Sequence, residues 1–345
     1  MVWCKRGFHT IFLVFLFLSL TSFLSGSTLN AQSKELIEAA KKEGKVSIFG
    51  SLEKGTVRII QDTFEKKYPG IKTFYWRGST TAIMKKAMSE FRAKKVTWDV
   101  FFTSNDPMNI MRKQGMFTKY QTPVGKYFEK QYHHPFYSPS YRKVVVGFMY
   151  NTKFIKPEDA PKSYWDFVDP KWKGRITIPN PAGHTSTAKW LSSLHLVLGN
   201  MEKEAEYIDR LAKLKPQMLK SMLPTSKAIA SGEVPLGLTY IKFVFIHGKA
   251  GAPLDYVRLP AYMGDSHYIA LSAMAPRPNA GKLWIDHWYS QESMDIMAKS
   301  GEFVNRPGVY PPLKDADKIK YIEEVNRSKK EYKKLKKKYG KLFRK

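Results

Sequence analysis

Apolar positions along this chain follow two rhythms that alternate. Short runs in which most positions are apolar or β-branched, Val46–Gly50, Ile71–Trp76 and Asp99–Phe102, predict strands. Between them, apolar residues recur three and four positions apart. Leu36, Ile37 and Ala40 mark a helix over Ser33–Glu43, which Gly44 stops. Val57, Ile60 and Phe64 mark a second, ended by Tyr68-Pro69-Gly70, and Ile83, Met84, Ala87, Met88 and Phe91 mark a third. This βαβαβ order predicts a mostly parallel sheet with helices on both faces.

The alternation continues beyond residue 140. Lys143–Tyr150 is a continuous apolar run of the kind buried on both faces. Arg175–Pro179, Val234–Thr239, Asp255–Leu259 and Tyr268–Ala275 are further predicted strands. Helices are predicted near Thr185–Leu198, Glu202–Leu214, Pro278–Ser290 and Gln291–Ser300. That is more strand than one compact sheet of ordinary size holds, so the pattern predicts two α/β lobes with a cleft between them. Three strands open onto polar loops. The first meets Ser51, the third Thr103-Ser104-Asn105, and Arg175–Pro179 the stretch Asn180-Pro-Ala-Gly-His184-Thr-Ser186. Ligands collect at such carboxyl ends, where loops and helix N-termini leave N–H donors unpaired.

Residues 1–31 read as a signal peptide. Lys5 and Arg6 precede a nearly continuous apolar run, Ile11 to Leu24, and small residues follow up to Ala31. The run is shorter than the roughly 20 residues of a membrane-spanning helix, which favours export over anchoring. Cys4 is the single cysteine and lies inside this leader, so the exported chain would have neither disulfide nor thiolate ligand. Of the formal charge of +28, residues 327–345 carry +10 and the leader +2, which leaves +16 on the body. A field of that sign favours anionic partners. In the tail, Tyr321, Val325, Tyr332, Leu335, Tyr339 and Leu342 lie near helical spacing among lysines. They predict an amphipathic helix that either docks on a lobe or makes weak contact with an anionic membrane.

Several phrases, taken in order, resemble the type 2 periplasmic solute-binding proteins of ABC importers, and most of all their ferric-iron-binding branch. They are Phe64-Glu-Lys-Lys-Tyr-Pro-Gly-Ile71, Trp98-Asp-Val-Phe-Phe102, Tyr150-Asn-Thr152, Trp165-Asp-Phe-Val-Asp-Pro-Lys-Trp-Lys-Gly-Arg175, Ser231-Gly-Glu233 and Arg277-Pro-Asn-Ala-Gly-Lys282. The resemblance implies an α/β, two-lobed fold, each lobe a mostly parallel sheet flanked by helices. It divides the chain into lobe 1, 32–138 plus 262–305, lobe 2, 139–261 plus 306–326, and the basic tail 327–345. It further implies a periplasmic monomer that closes on a small-molecule ligand and docks on a permease in the inner membrane. No cofactor, nucleic-acid partner or catalysis is expected.

The chain departs from the iron-binding pattern at the positions that would hold the metal. In iron-binding relatives adjacent tyrosines follow the strand matching Val234–Thr239; here Thr239-Tyr240-Ile241 keeps one. The glutamate that some of them place after the third strand is Ser104, and the loop after the first offers Ser51, Leu52 and Glu53 with no histidine. Fe³⁺ favours several anionic oxygen ligands. The departures therefore point to an organic or phosphorus-containing anion, with ferric iron or a ferric chelate as the alternative, and no metal ligand is assigned. Ser51, Ser104 and Asn105 are candidate uncharged donors. Arg77, with Ser79 and Thr80, adds a cation and a helix N-terminus. Asn180, Gly183, His184, Thr185 and Ser186 form a candidate oxyanion cradle, Tyr240 a lid from the same lobe, and Tyr150 completes the set. Each has an ordinary alternative: a surface ion pair for Arg77, turn residues for Ser51 and Ser104, and helix caps for Asn180, Thr185 and Ser186. His133-His134 suits loop packing, and Trp284, His287 and Trp288 suit packing against a sheet. No nucleophile elbow, HExxH or P-loop is present.

Overall fold

The computed structural model describes residues 28–344, so most of the leader lies outside the described residues. The first helix, read over Ser33–Glu43, runs Thr28–Glu43. The strands are β1 (Lys45–Gly50), β2 (Lys72–Arg77), β3 (Val100–Ser104), β4 (Phe117–Thr118), β5 (Arg142–Asn151), β6 (Ile176–Pro179), β7 (Gln217–Leu219), β8 (Leu236–Tyr240), β9 (Leu254–Tyr256), β10 (Tyr262–Ser272), β11 (Phe303–Val304) and β12 (Tyr321–Glu323). Hydrogen bonding follows the order β2-β1-β3-β10-β5-β8-β6-β7, with β4 and β12 on β10, and β9 and β11 on β5.

The two long strands explain how one ladder serves two lobes. Arg142–Val146 of β5 pair antiparallel with Met263–His267 of β10. Beyond that shared segment they part. Val146–Tyr150 go on to β8, while His267–Leu271 go on to β3. Outside this junction β1–β2, β1–β3, β6–β7 and β6–β8 pair parallel, as the βαβ alternation predicts.

The buried side chains form separate clusters. In lobe 1, helices Lys54–Lys67 and Pro278–Trp288 cover one face with Ile60, Phe64, Trp284 and Trp288 against Ile48 and Phe102. On the other face Ile83, Met108 and Met111 cover Phe49, Trp98 and Phe101. Lobe 2 has its own cluster, in which Phe148 stacks on Phe167 at 3.7 Å and Trp190 packs with Tyr207. Burying each such aromatic contributes about 1.5–3 kcal/mol. Val309 packs with the lobe 1 cluster, while Leu313, Ala316 and Ile319 pack with that of lobe 2.

The phrases behind the family resemblance turn out to be ties within a lobe. Asp99, fully buried, accepts from Ser47 N (2.8 Å), Arg277 N (2.8 Å) and Arg277 Nε (2.9 Å), joining β1, β3 and the last lobe 1 helices. Asn151 donates to Ile229 O at 3.0 Å beside Ser231-Gly232. Glu43 accepts from Ala280 N (2.7 Å) and Asn279 N (3.2 Å), capping helix Pro278–Trp288 from the first helix. Glu43→Ala is expected to cost about 1–2 kcal/mol in chemical denaturation, because it leaves those helix N–H groups uncapped. A loss indistinguishable from zero would show the cap to be dispensable.

Three local expectations need correction. The strand read from Tyr268 begins at Tyr262, because Gly264-Asp265-Ser266, polar and turn-like in sequence, is held extended by the β5 ladder. The helix read over Thr185–Leu198 breaks into Thr185–Leu191 and His195–Leu198. There Ser192 and Ser193 hydroxyls both donate to Lys189 O, at 3.1 and 2.9 Å, competing with the helical ladder. Helices Asn105–Arg112, Met222–Ser231 and Lys242–Gly248 were not foreseen. In the tail, helix Lys329–Leu342 starts with a Ser328/Glu331 capping box and seats Tyr339 and Phe343 in the lobe 2 cluster.

Candidate functional site

A cavity of about 240 Å³ lies where the crossing strands meet the two lobes. Lobe 1 lines it with Ser51 after β1, Arg77–Thr80 after β2, and Ser104 at the end of β3. Thr103, fully buried, ties part of this wall together: its Oγ1 lies 3.2 Å from Ser51 Oγ and 3.1 Å from Thr80 Oγ1. Ser79 Oγ accepts from Ala82 N at 3.3 Å and so caps helix Thr80–Arg92. Ser104 stands at the cap of helix Asn105–Arg112, yet its side chain makes no capping bond. Arg77 is exposed and, among the described residues, forms no ion pair. Lobe 2 contributes Ser186 and Tyr240, whose hydroxyl donates to Ser186 Oγ at 3.5 Å. Burial pushes the Tyr240 phenol up, so it stays protonated near neutral pH.

The crossing strands and the segments packed on them supply groups that the sequence did not reveal as part of a site. Arg142 of β5, buried, donates to Glu302, and its other terminal nitrogen lies 3.2 Å from Nδ1 of His267 on β10. Lys242 donates to the same Glu302 at 2.7 Å and to Glu53 of lobe 1 at 3.1 Å. Burial alone would push the Glu302 carboxyl up, but the charges of Arg142 and Lys242 outweigh it and hold it at about 2. Burial pushes the His267 imidazole well below its usual range, with Arg142 and Lys242 adding to the effect, so the ring is neutral. Nearby, Lys189 from lobe 2 sits 3.1 Å from Asp265, 2.7 Å from Asn326 Oδ1 and 3.6 Å from Asp106 of lobe 1. Glu324, following β12, also lines the cavity, and burial pushes its carboxyl well up.

The expected wall of neutral donors and cations is thus only half of what the structure holds. Arg77, Arg142 and Lys242 face the cavity, but so do Glu53, Asp265 and Glu324. Glu53 stands in the loop after β1, which the sequence already pointed to; Asp265 lies on β10 and Glu324 follows β12, which pairs with β10. The local signal for Asp265 was a polar triplet, Gly264-Asp265-Ser266, set before an apolar strand.

Seven of the sequence candidates line this cavity: Ser51, Arg77, Ser79, Thr80, Ser104, Ser186 and Tyr240. Six do not. Asn105 turns its Oδ1 to Asn109 Nδ2 at 2.7 Å within its helix. Tyr150 sits at the far end of β5, where its hydroxyl lies 3.4 Å from Asp255 and borders a separate hollow with Arg258. Asn180 Oδ1 accepts from Ala182 N at 2.9 Å, and Gly183 O accepts from Lys336 of the tail helix at 3.1 Å. His184 caps helix Thr185–Leu191, its Nδ1 accepting from Thr187 N at 3.3 Å, and burial together with Lys336 pushes the ring down to about 4. A neutral imidazole already occupied by a cap adds no positive charge to a cradle. Thr185, on the first turn of that helix, is exposed. His134 packs in its loop, stacked on Tyr137 at 4.6 Å, and Trp284, His287 and Trp288 are buried against Phe64 and Phe102. Among the described residues, no three His, Cys, Asp or Glu side chains are grouped to hold a metal ion, and no helix is long and apolar enough to cross a membrane.

Comparison with known proteins agrees with this architecture. Residues 97–246 match the family model of the bacterial extracellular solute-binding proteins. The Fe(3+)-binding periplasmic protein of Serratia marcescens is 24% identical over 299 residues, 81% of this chain and 86% of the relative. Among solved structures, the substrate binding protein of an ABC transporter from Agrobacterium tumefaciens superposes with a TM-score of 0.73 at 16% identity, covering 87% of this chain and 94% of that one. The periplasmic binding protein AfuA of Actinobacillus pleuropneumoniae, with exogenous fructose-6-phosphate bound, gives 0.66 at 21% identity, covering 87% and 97%. Residues 97–246 thus resemble a bacterial extracellular solute-binding domain, and the chain has the fold of the periplasmic binding proteins.

Proposed function

We propose that this protein is the substrate-binding component of a periplasmic ABC import system. It captures a small anionic solute, organic or phosphorus-containing, between its lobes and delivers it to an inner-membrane permease. Arg77 carries the reading. Its guanidinium is exposed at the cavity and, among the described residues, has no ion-pair partner; it stands beside the Ser51 and Thr80 hydroxyls and the N-termini of helices Thr80–Arg92 and Asn105–Arg112. An anion there meets a charge that, among the described residues, no acid of the fold pairs, beside hydroxyls that Thr103 holds in place. Lys242 reaching Glu53, and Lys189 reaching Asp106, join the lobes on either side and would favour a closed form. The fructose-6-phosphate bound to AfuA fits the same chemistry. The exposed lysines of the tail helix would add weak contact with an anionic membrane.

Thermal-shift titration with phosphate monoesters, phosphonates, carboxylates and ferric citrate tests this. An anion should raise the melting temperature in proportion to the logarithm of its concentration. Arg77→Ala should weaken that anion about 10- to 100-fold, the range of a charge-assisted hydrogen bond, and leave the unliganded melt unchanged. A response to ferric iron stronger than to any anion, abolished by Tyr240→Phe, would replace this reading with iron binding.

A further inference from the structure

Among the described residues, two buried polar atoms of residues on the cavity wall have no hydrogen-bond partner: Arg142 Nε and Glu324 Oε1. Their residues are only 4% and 3% exposed, so bulk water does not readily satisfy them. Donors near Glu324 are directed to other acceptors. Lys189 has three hydrogens and faces Asp265, Asn326 and Asp106. Ser266 Oγ and Tyr321 hydroxyl both donate to Glu323, at 2.6 and 2.7 Å. A buried acceptor that its own fold leaves unpaired, on the wall of a ligand cavity, is built to be paired by the ligand.

We infer that Glu324 is a specificity-determining residue: it accepts a hydrogen bond from a hydroxyl or ammonium group that the ligand carries beside its anionic head. The cleft therefore selects a decorated anion over a bare one. This rests on the anion-binding reading of Arg77 and adds a second, acceptor end, with Asp265 beside it and Arg142 Nε free for a ligand oxygen.

Titration calorimetry on the whole chain tests it with methyl phosphate, O-phosphoethanolamine and fructose-6-phosphate, and with propionate, β-alanine and lactate as the carboxylate series. At least one decorated anion should bind tenfold or more tighter than its bare counterpart. The ammonium and hydroxyl arms identify which donor is used. Glu324→Met should bring the decorated anion down to the bare level while the bare anion changes less than twofold. Glu324→Gln, which keeps a neutral acceptor, should cost a hydroxyl ligand less than about threefold and an ammonium ligand more, because a bound cation favours the ionised carboxyl that burial otherwise opposes. Equal binding of bare and decorated anions by the unmodified chain would overturn the role of Glu324 alone, as would equal weakening of both by Glu324→Met. If no anion in either series binds, the anion-binding reading fails and this one with it.

Discussion

Arg142→Met is expected to destabilise the protein by about 3–5 kcal/mol, the usual cost of stripping one partner from a buried charge pair. Glu302 is 3% exposed and balanced by Arg142 and Lys242, so the variant leaves one lysine to hold a buried carboxylate in the middle of the molecule. The same network sets an acid limb. Glu302 sits at about 2 in the fold against an ordinary 4.5. A depressed carboxyl contributes stability that is present above the ordinary value and lost as pH falls toward the folded one, here on the order of 3 kcal/mol. Urea denaturation between pH 5 and pH 2 should show that loss in the unmodified protein and a flatter profile in Glu302→Gln. Parallel profiles would mean that the pair contributes nothing to acid stability. Replacing Arg142, Glu302 and Lys242 together with apolar residues should recover much of what Arg142→Met loses, since the cost lies in the orphaned charge.

Gly264→Ala should be comparably damaging, for a steric reason. A Cβ at this position would stand 1.9 Å from Val144 O on the neighbouring strand. Overpacking ordinarily costs about 1–3 kcal/mol, and more where the neighbour cannot rotate away. Here the obstacle is backbone inside the β5–β10 ladder, where Gly264 pairs with Val145, so relief would require parting the two strands that join the lobes. We expect a loss of at least about 3 kcal/mol in urea denaturation. A variant within about 1 kcal/mol of the unmodified protein would show that the crossing strands are packed less closely than the structure places them.

Much of the scaffold was legible because its signals are local. The stripes at Val57, Ile60 and Phe64, or Ile83 and Ala87, do face buried clusters, and β1, β2 and β3 lie within two residues of their predicted bounds. The cavity wall was legible only where a strand end and a helix start fall together in sequence, as at Ser51, Arg77–Thr80 and Ser104. The His184 loop shows the limit of that signal. It has the residues of a cradle, but Asn180 and His184 spend their acceptors on their own backbone and Lys336 approaches Gly183 from the tail. Tyr150 marks another limit, since one strand carries Arg142 at the cavity and Tyr150 in a different hollow.

The sequence by itself determined the α/β alternation, the two-lobed fold and which hydroxyl and cationic groups stand at strand ends beside helix starts, because periodicity and loop position are properties of neighbouring residues. Only the tertiary structure decided that Arg142, Asp265, His267 and Glu324 share a wall with them. These residues come from β5, β10 and the segment after β12, and they meet because two strands change partners midway, an arrangement set by long-range pairing that no local pattern records.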